Sequence, residues 1–67
     1  MTSYKVEEIL GERIIGTHEV AASSPAGAAR RATGHPMQPR IPGALFVRVT
    51  RSEDGTIAEF SFAGVPC

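Results

Sequence analysis

The clearest chemical groups in this 67-residue sequence are the arginines of its middle segment. Residues 23–51 contain five lysine-or-arginine positions, all of them arginine, and no acid, which gives the segment a net charge of +5. A guanidinium presents a rigid, planar set of N–H donors that binds a phosphate or a carboxylate through two parallel hydrogen bonds. The pattern therefore predicts an anion-binding edge. The edge consists of Arg30 and Arg31 on the outer helix face, Arg40 in the proline-rich connection and His35, and Arg48 and Arg51 are additional binding candidates outside it.

The rest of the chain balances this charge. Residues 1–22 hold two bases against four acids, and residues 52–67 hold three acids, so the formal net charge is zero. An alternative interpretation follows, in which the arginines lie on a solvated surface and pair with glutamates of neighbouring strands. Arg48 in particular can pair with Glu7 or with Glu59 across strands. The sequence leaves both interpretations open.

Catalytic and metal-binding patterns are missing from the sequence. A nucleophile needs an adjacent base, and Cys67, the one cysteine, has none nearby in sequence. Two histidines and one cysteine do not make a four-ligand zinc site. His18 is expected as a packed or edge residue of a strand, and Glu7 and Glu8, as neighbours in a strand, point to opposite faces. We therefore expect no enzymatic activity, no metal and no cofactor.

The adjacent arginines fall in a segment with the start and stop signals of a short helix. Ser24 is a good N-cap, and Pro25 suits the first helical position. Gly34 suits a left-handed C-terminal cap, and Pro36 prevents continuation. We expect one helix over roughly residues 24–33. Its buried face carries Ala28, Ala29 and Ala32, and its exposed face carries Gly27, Arg30 and Arg31.

Four strands are expected around this helix. Residues 4–10 alternate apolar and polar, and residues 13–22 return after a tight turn, with Gly16 marking a bulge or a close backbone approach. Residues 44–51 and 56–64 form a second hairpin, closed by an Asp-Gly turn signal. The connection 34–43 holds three prolines and two glycines and is expected to be stiff and irregular.

The order strand, strand, helix, strand, strand predicts an α+β fold of two layers, in which one short helix covers a four-stranded, mainly antiparallel sheet. The length allows a single domain, residues 1–67. The expected core residues are Tyr4, Val6, Leu10, Ile14, Val20, Ala28, Ala29, Ala32, Leu45, Val47, Val49, Phe60 and Phe62. The uncovered sheet face would expose Ile9, Ile15, Phe46 and Ile57, where a partner or a second copy can add a layer.

The sequence shows no export or membrane segment. The first ten residues carry acids where a signal peptide needs bases, and the longest apolar runs are far too short to span a bilayer. A single cysteine fits a reducing compartment. We therefore expect a soluble, cytoplasmic protein.

The segment YKVEEILGERIIGTHEVAASSPAGAARRATG, followed by two closing strands, resembles in layout the very small proteins of phages and mobile elements, and among them the type I anti-CRISPR proteins. The shared plan is an N-terminal hairpin that ends in alanines and serines, followed by a capped short helix. This resemblance implies an inhibitor that binds a crRNA-guided surveillance complex in the host cytoplasm and blocks target DNA without chemistry. The chain departs from a DNA mimic because it is not strongly acidic, and no individual residue role is transferred.

Two other function classes fit the same residues. The first is an accessory protein of nucleic acids or ribonucleoproteins, in which the arginine edge contacts phosphates and Phe46 stacks on a base. The second is a structural homodimer joined through the uncovered sheet face. The salt dependence of binding to naked nucleic acid separates the accessory protein from an inhibitor of a protein complex, and the size in solution tests the homodimer.

Overall fold

The computed structural model describes residues 1–63, which form one helix and five strands. All strand pairings are antiparallel, and the single sheet has the order β2-β1-β4-β5-β3. The α+β class and the antiparallel sheet are confirmed, whereas the predicted number of four strands is wrong. The elements in chain order are β1 (Thr2–Leu10), β2 (Arg13–Ala22), α1 (Pro25–Thr33), β3 (Met37–Pro39), β4 (Leu45–Arg51) and β5 (Ile57–Phe62).

The additional strand, β3, lies in the segment that was predicted to be irregular. Met37 pairs with Phe62 and Pro39 pairs with Phe60, so β3 adds to the sheet beside β5. Proline removes a ladder donor, which is why prolines indicate a loop, but an edge strand tolerates it where the missing N–H would face outward. A strand of three residues is also too short to show an alternating pattern. The prediction of an irregular connection over 34–43 is therefore wrong for its central part.

Helix α1 begins and ends where its capping residues predict. The Ser24 hydroxyl accepts a hydrogen bond from the Gly27 N–H at 3.1 Å, and Pro25 occupies the first turn. Gly34 has a left-handed backbone with φ of 73°, and its N–H donates to the Arg30 carbonyl at 2.8 Å. The helix is nine residues long, as the sequence predicts.

The core lies between α1 and one face of the sheet, here called the helix face. Ala28 and Ala29 are fully buried, and their small side chains let the helix lie close to the strands. The predicted core positions Leu10, Ile14 and Leu45 are wrong, because they are 47%, 56% and 45% exposed. The core consists of Tyr4, Val6, Ala22, Ala28, Ala29, Val47 and Val49, with Val20, Ala32, Met37, Phe60 and Phe62 packed around it.

Two physical features explain these exposed residues. A nine-residue helix is about 14 Å long, whereas a nine-residue strand spans roughly 30 Å, so α1 does not reach Leu10 and Leu45, which pair at the far end of the sheet. The β1–β2 register also shifts between Glu8 and Ile9, where Ile14 becomes the partner of Ile9. This bulge reverses the faces on β2 and moves Ile14 away from the core.

The second sheet face, here called the outer face, is crossed by the connection from β3 to β4, residues 40–44. Both strands run antiparallel to β5 on its two sides, so the connection must pass over β5. It is anchored at Ser61, whose hydroxyl accepts a hydrogen bond from the Ile41 N–H at 2.9 Å and lies 3.4 Å from the Ile41 carbonyl. Ile9 and Phe46, predicted to be exposed on this face, are in fact buried. Ile57 is exposed as predicted.

The last strand is shorter than predicted. The sequence predicts a strand that extends to residue 64, whereas β5 ends at Phe62. Residue 64 and Cys67 lie outside the described residues. Across residues 1–63, no helix combines the length and the hydropathy needed to cross a membrane.

Candidate anion-binding site

The structure separates the predicted arginines into two groups on opposite sides of the sheet. Arg30 and Arg31, here called the helix pair, lie on the exposed side of α1. Arg40 and Arg48, here called the sheet pair, lie on the outer face. The predicted continuous edge is therefore wrong, because the sheet lies between the two pairs.

The sheet pair is held by a carboxylate and an aromatic ring. Arg40 Nη1 lies 2.9 Å from Glu59 Oε1, and Arg48 Nε lies 3.5 Å from Glu59 Oε2. The Arg40 guanidinium also lies over the Phe46 ring, 3.6 Å from its centre, in cation–π geometry. Arg48 thus pairs with Glu59 rather than Glu7, and one face of Phe46 is covered. These arginines support the loop over the outer face.

Arg51 and His35 also contact the protein itself. Arg51 Nη1 lies 3.5 Å from Asp54 Oδ2, within the turn between β4 and β5. The His35 ring packs edge-on against Phe62, with ring centres 5.8 Å apart. His35 therefore lies beyond the C-terminal end of α1 as a packing residue on the sheet.

The turn carboxylate Asp54 has its own backbone partner. The Thr56 N–H donates to Asp54 Oδ1 at 3.0 Å. This hydrogen bond and a second one from the Thr56 side chain, with a smaller contribution from the Arg51 charge, hold the pKa of Asp54 below its ordinary value. Asp54 and Arg51 together are a turn-stabilising contact, not a free charge.

The helix pair has different neighbours. Arg31 Nη1 donates to the Ala21 carbonyl at 3.0 Å, a contact that orients its guanidinium and leaves its other N–H donors available. Within residues 1–63, no carboxylate lies at ion-pair distance from Arg30 or Arg31. Local sequence explains this, because neither arginine has an acid three or four residues away on the helix.

The helix pair borders an open depression of about 390 Å³ where β2 turns into α1, beside Met1. Its shape is a broad opening, so it suits a chain or surface group lying across it and not an enclosed small molecule. Two neighbouring guanidiniums with an adjacent hydroxyl can bind a phosphate or a carboxylate. The lining residues are Met1, Ala22, Ser23, Gly27, Arg30 and Arg31.

Sequence reasoning missed two features of this region. Ser23 joins the depression only because the turn from β2 into α1 brings it beside the arginines. The Ala21 carbonyl accepts a hydrogen bond from Arg31 because it lies on the free edge of β2. The spacing of ten residues between Ala21 and Arg31 carries no helical or strand period, so no sequence pattern indicates the contact.

A second polar cluster lies on β2, away from the helix pair. His18 Nε2 is 3.4 Å from Glu8 Oε2, and both side chains are partly exposed. Gly16 makes room for this pair, because a Cβ at this position would lie 2.6 Å from Glu8 Oε2. Gly16 lies next to the β-bulge, one of the two features that the sequence predicts at this position, and His18 lies on an edge strand as expected.

Over the described part of the chain, no three histidine, cysteine, aspartate or glutamate side chains are grouped to hold a metal ion. The site is thus defined by two guanidiniums, a hydroxyl and an open depression. No protein-family model, no curated protein and no solved structure matches this chain.

Proposed function

We propose that this protein acts as a binding protein without catalytic activity, and that the helix pair docks onto an anionic surface of a protein or ribonucleoprotein. In its specific form, the partner is a type I crRNA-guided surveillance complex, and the bound protein blocks target DNA, as the layout resemblance implies. The observation that supports the docking surface is the acid-free helix pair beside the open depression.

The helix pair fits this role better than the sheet pair for an electrostatic reason. An incoming anion meets two guanidiniums that, among the described residues 1–63, have no carboxylate at ion-pair distance. At the sheet pair the anion would compete with Glu59, which already bridges both arginines. Hydrogen bonds between charged groups contribute about 1.5–3 kcal/mol each, so two such contacts give useful affinity.

The pair is also partly preorganised. Helix α1 is capped at both ends, and Arg31 is oriented by the Ala21 carbonyl. Side chains that are ordered before binding lose less conformational entropy on binding. A short, rigid helix that carries two adjacent arginines is therefore an efficient docking element for a surface.

Phage plaquing in hosts with active type I immunity tests the specific form of the proposal. We expect the wild-type protein to restore plaquing of a targeted phage, and the double variant Arg30→Glu with Arg31→Glu to lose this effect. Arg13→Glu is the control, since it reverses another exposed arginine far from the depression. No restoration by the wild-type protein across several type I subtypes would overturn the inhibitor proposal.

Direct binding of nucleic acid is the second candidate, and the two guanidiniums beside one open depression favour it. Two phosphate contacts predict that log K falls with log salt concentration with a slope of about −1.8 on duplex DNA or about −1.4 on single strands. An inhibitor that recognises acidic protein side chains shows little binding to naked DNA or RNA. A fluorescence-anisotropy titration at several salt concentrations therefore separates the two candidates.

A further inference from the structure

The two edges of the sheet differ in how well they are closed. The β3 edge is three residues long and includes Pro39, which has no N–H to donate. The β2 edge is ten residues long and, beyond the bulge near its start, contains neither lysine nor proline, two of the features that commonly protect an edge. The β2 edge is therefore the place where another strand can add to this sheet.

Along an antiparallel strand, the backbone N–H and C=O groups of successive residues point alternately to the two sides. This alternation shows which backbone groups of β2 point away from the sheet. The Ser52 N–H donates to the Ser3 carbonyl, so Ser3 points its backbone groups toward β4. Backbone groups alternate along an antiparallel strand, so the next residue, Tyr4, bonds to its β2 partner Val20. Val20 and His18 therefore bond to β1, and their neighbours Thr17 and Glu19 point their N–H and C=O groups away from the sheet.

A contact on the same strand supports this phase independently. Arg31 donates to the Ala21 carbonyl from outside the sheet, as expected if Ala21 shares the outward phase of Glu19. That end of the edge is capped by the protein's own helix. The open part is centred on residues 17–19.

The β2 sequence is symmetric in polarity about His18. Apolar Ile14 and Ile15 precede the polar centre, and apolar Val20, Ala21 and Ala22 follow it. When such a strand pairs with itself in antiparallel direction about His18, the exposed Ile15 of one copy lies opposite the exposed Ala21 of the other, whereas the buried Ala22 takes no part. Cross-strand pairs of like polarity stabilise a sheet.

We propose that two copies of this chain pair through their β2 strands to form a continuous ten-stranded sheet, with His18 opposite the partner's His18. Each Thr17 then exchanges both backbone hydrogen bonds with the partner's Glu19. A shift by two residues in one direction places Glu19 opposite the partner's Glu19, where like charges repel. A shift in the other direction places Ile15 opposite the partner's Glu19 and Ala21 opposite the partner's Arg13, so each of these apolar residues meets a charged one.

The proposed pairing produces a dimer and does not continue to larger assemblies. The same edge is used by both copies, so the interface is isologous with a two-fold axis through the His18 pair. The β3 edges remain at the two ends of the joined sheet, where Pro39 and the short length discourage further addition. A closed dimer is the expected product, not a filament.

Sedimentation velocity of Thr17→Pro tests the pairing. Proline at Thr17 removes an outward N–H and leaves the bonds between β1 and β2 intact, whereas Thr17→Val keeps the N–H and is the matched control. We expect twice the monomer mass for the wild type and for Thr17→Val, and the monomer mass for Thr17→Pro with an unchanged circular-dichroism spectrum. A wild type that stays monomeric at concentrations up to about 1 mM overturns the proposal.

Disulfide trapping tests the register even if Thr17→Pro fails to fold. In a Cys67→Ser background, His18→Cys places two thiols opposite each other across the two-fold axis. Opposed residues without mutual hydrogen bonds lie close enough to be bridged. We expect rapid formation of a covalent dimer on oxidation for His18→Cys and not for Ser52→Cys, which lies in the β4–β5 turn. Equal crosslinking of the two variants contradicts the proposed pairing.

Discussion

The helix pair and the sheet pair come from the same acid-free segment and have the same residue type, yet the fold gives them different neighbours. Arg40 and Arg48 share Glu59, and Arg40 lies on the Phe46 ring. Arg30 and Arg31 lie beside an open depression, without a carboxylate partner in residues 1–63. The segment charge of +5 therefore overstates the charge that is available to a partner.

The difference arises from strand pairing. Glu59 lies 8 to 29 positions from the five arginines in sequence, but antiparallel pairing of β4 with β5 places it directly beside Arg48. The crossing loop then brings Arg40 to the same carboxylate. In the described part of the chain, no carboxylate lies at ion-pair distance from the two arginines of α1 on the other face. Charge counted along the chain thus predicts the candidates, whereas the pairing decides which of them remain free.

The largest expected effect is on partner binding by the helix pair. Replacing both residues, Arg30→Glu with Arg31→Glu, removes two charge-assisted contacts and adds repulsion, so we expect affinity to fall by roughly 100-fold or more. The free energy of unfolding should change by less than about 1 kcal/mol, because both side chains are exposed. Isothermal calorimetry with the partner and thermal unfolding measure the two quantities.

The single variants sharpen this prediction. Arg30→Glu and Arg31→Glu are each compared with Arg13→Glu, which changes the net charge by the same amount at the β1–β2 hairpin. If Arg13→Glu weakens binding as much as either helix variant, overall charge and not the helix pair determines affinity.

The next largest effect is on stability and concerns the loop over the outer face. Ser61→Ala removes a buried hydroxyl that bonds to Ile41, and we expect the free energy of unfolding to fall by about 1–2 kcal/mol. Arg40→Ala removes the cation–π contact and the ion pair and should cost about 1 kcal/mol. Urea unfolding measures both changes. Partner binding should remain unchanged, and a large loss of affinity in Arg40→Ala would assign the sheet pair to the docking surface.

Glu59→Gln sharpens the comparison because it removes the negative charge beside the sheet pair. It leaves an amide oxygen that can still accept a hydrogen bond, and we expect a loss of stability below about 1 kcal/mol because the groups are about one-third exposed. Nuclear magnetic resonance titration with inorganic phosphate should then show new shifts at Arg40 and Arg48. If the wild type already shows these shifts, Glu59 does not neutralise the sheet pair.

The smallest effect concerns the pH dependence of the β4–β5 turn. The Thr56 N–H lowers the pKa of Asp54 below its ordinary value of 3.8. The ionised carboxylate therefore stabilises the folded protein above that value, and this contribution is lost as the pH falls through the lower folded pKa. Asp54→Asn should flatten the pH profile of stability below about pH 4, measured by urea unfolding. An unchanged profile would contradict the role of this hydrogen bond.

The sequence predicts the parts of the fold that are decided locally. The caps Ser24 and Gly34 bound the helix correctly, and the alternating residues of β1 place Tyr4 and Val6 in the core. The wrong predictions, the burial of Ile14 and the exposure of Phe46, depend on contacts between residues that are far apart in the sequence. The bulge at Glu8 and Ile9 changes the face of Ile14, and the crossing loop buries Phe46. Neither the register shift nor the path of a loop has a periodic signature.

In the candidate site, too, locally determined features were predicted and those that depend on distant contacts were not. Exposure of Arg30 and Arg31 follows from helical spacing and was predictable from the sequence. The contribution of Ser23 and the Ala21 carbonyl depends on how β2 turns into α1, and the pairing of Arg40 with Glu59 depends on a crossover between strands. The sequence predicted that Arg40 joins Arg30 and Arg31 in one edge because it does not show that the connection over residues 40–44 crosses the face of the sheet opposite α1.

The most direct test of the account is a nuclear magnetic resonance titration of the wild-type protein with inorganic phosphate and, separately, with a short polyglutamate peptide. If the helix pair is the docking surface, the shifts of the side-chain Nε–H groups of Arg30 and Arg31 and of the amides of Ser23 and Gly27 will move together with one of these probes. The Nε–H groups of Arg40 and Arg48 will stay in place. Shifts confined to Arg40 and Arg48, or no localised shift with either probe, would contradict the account.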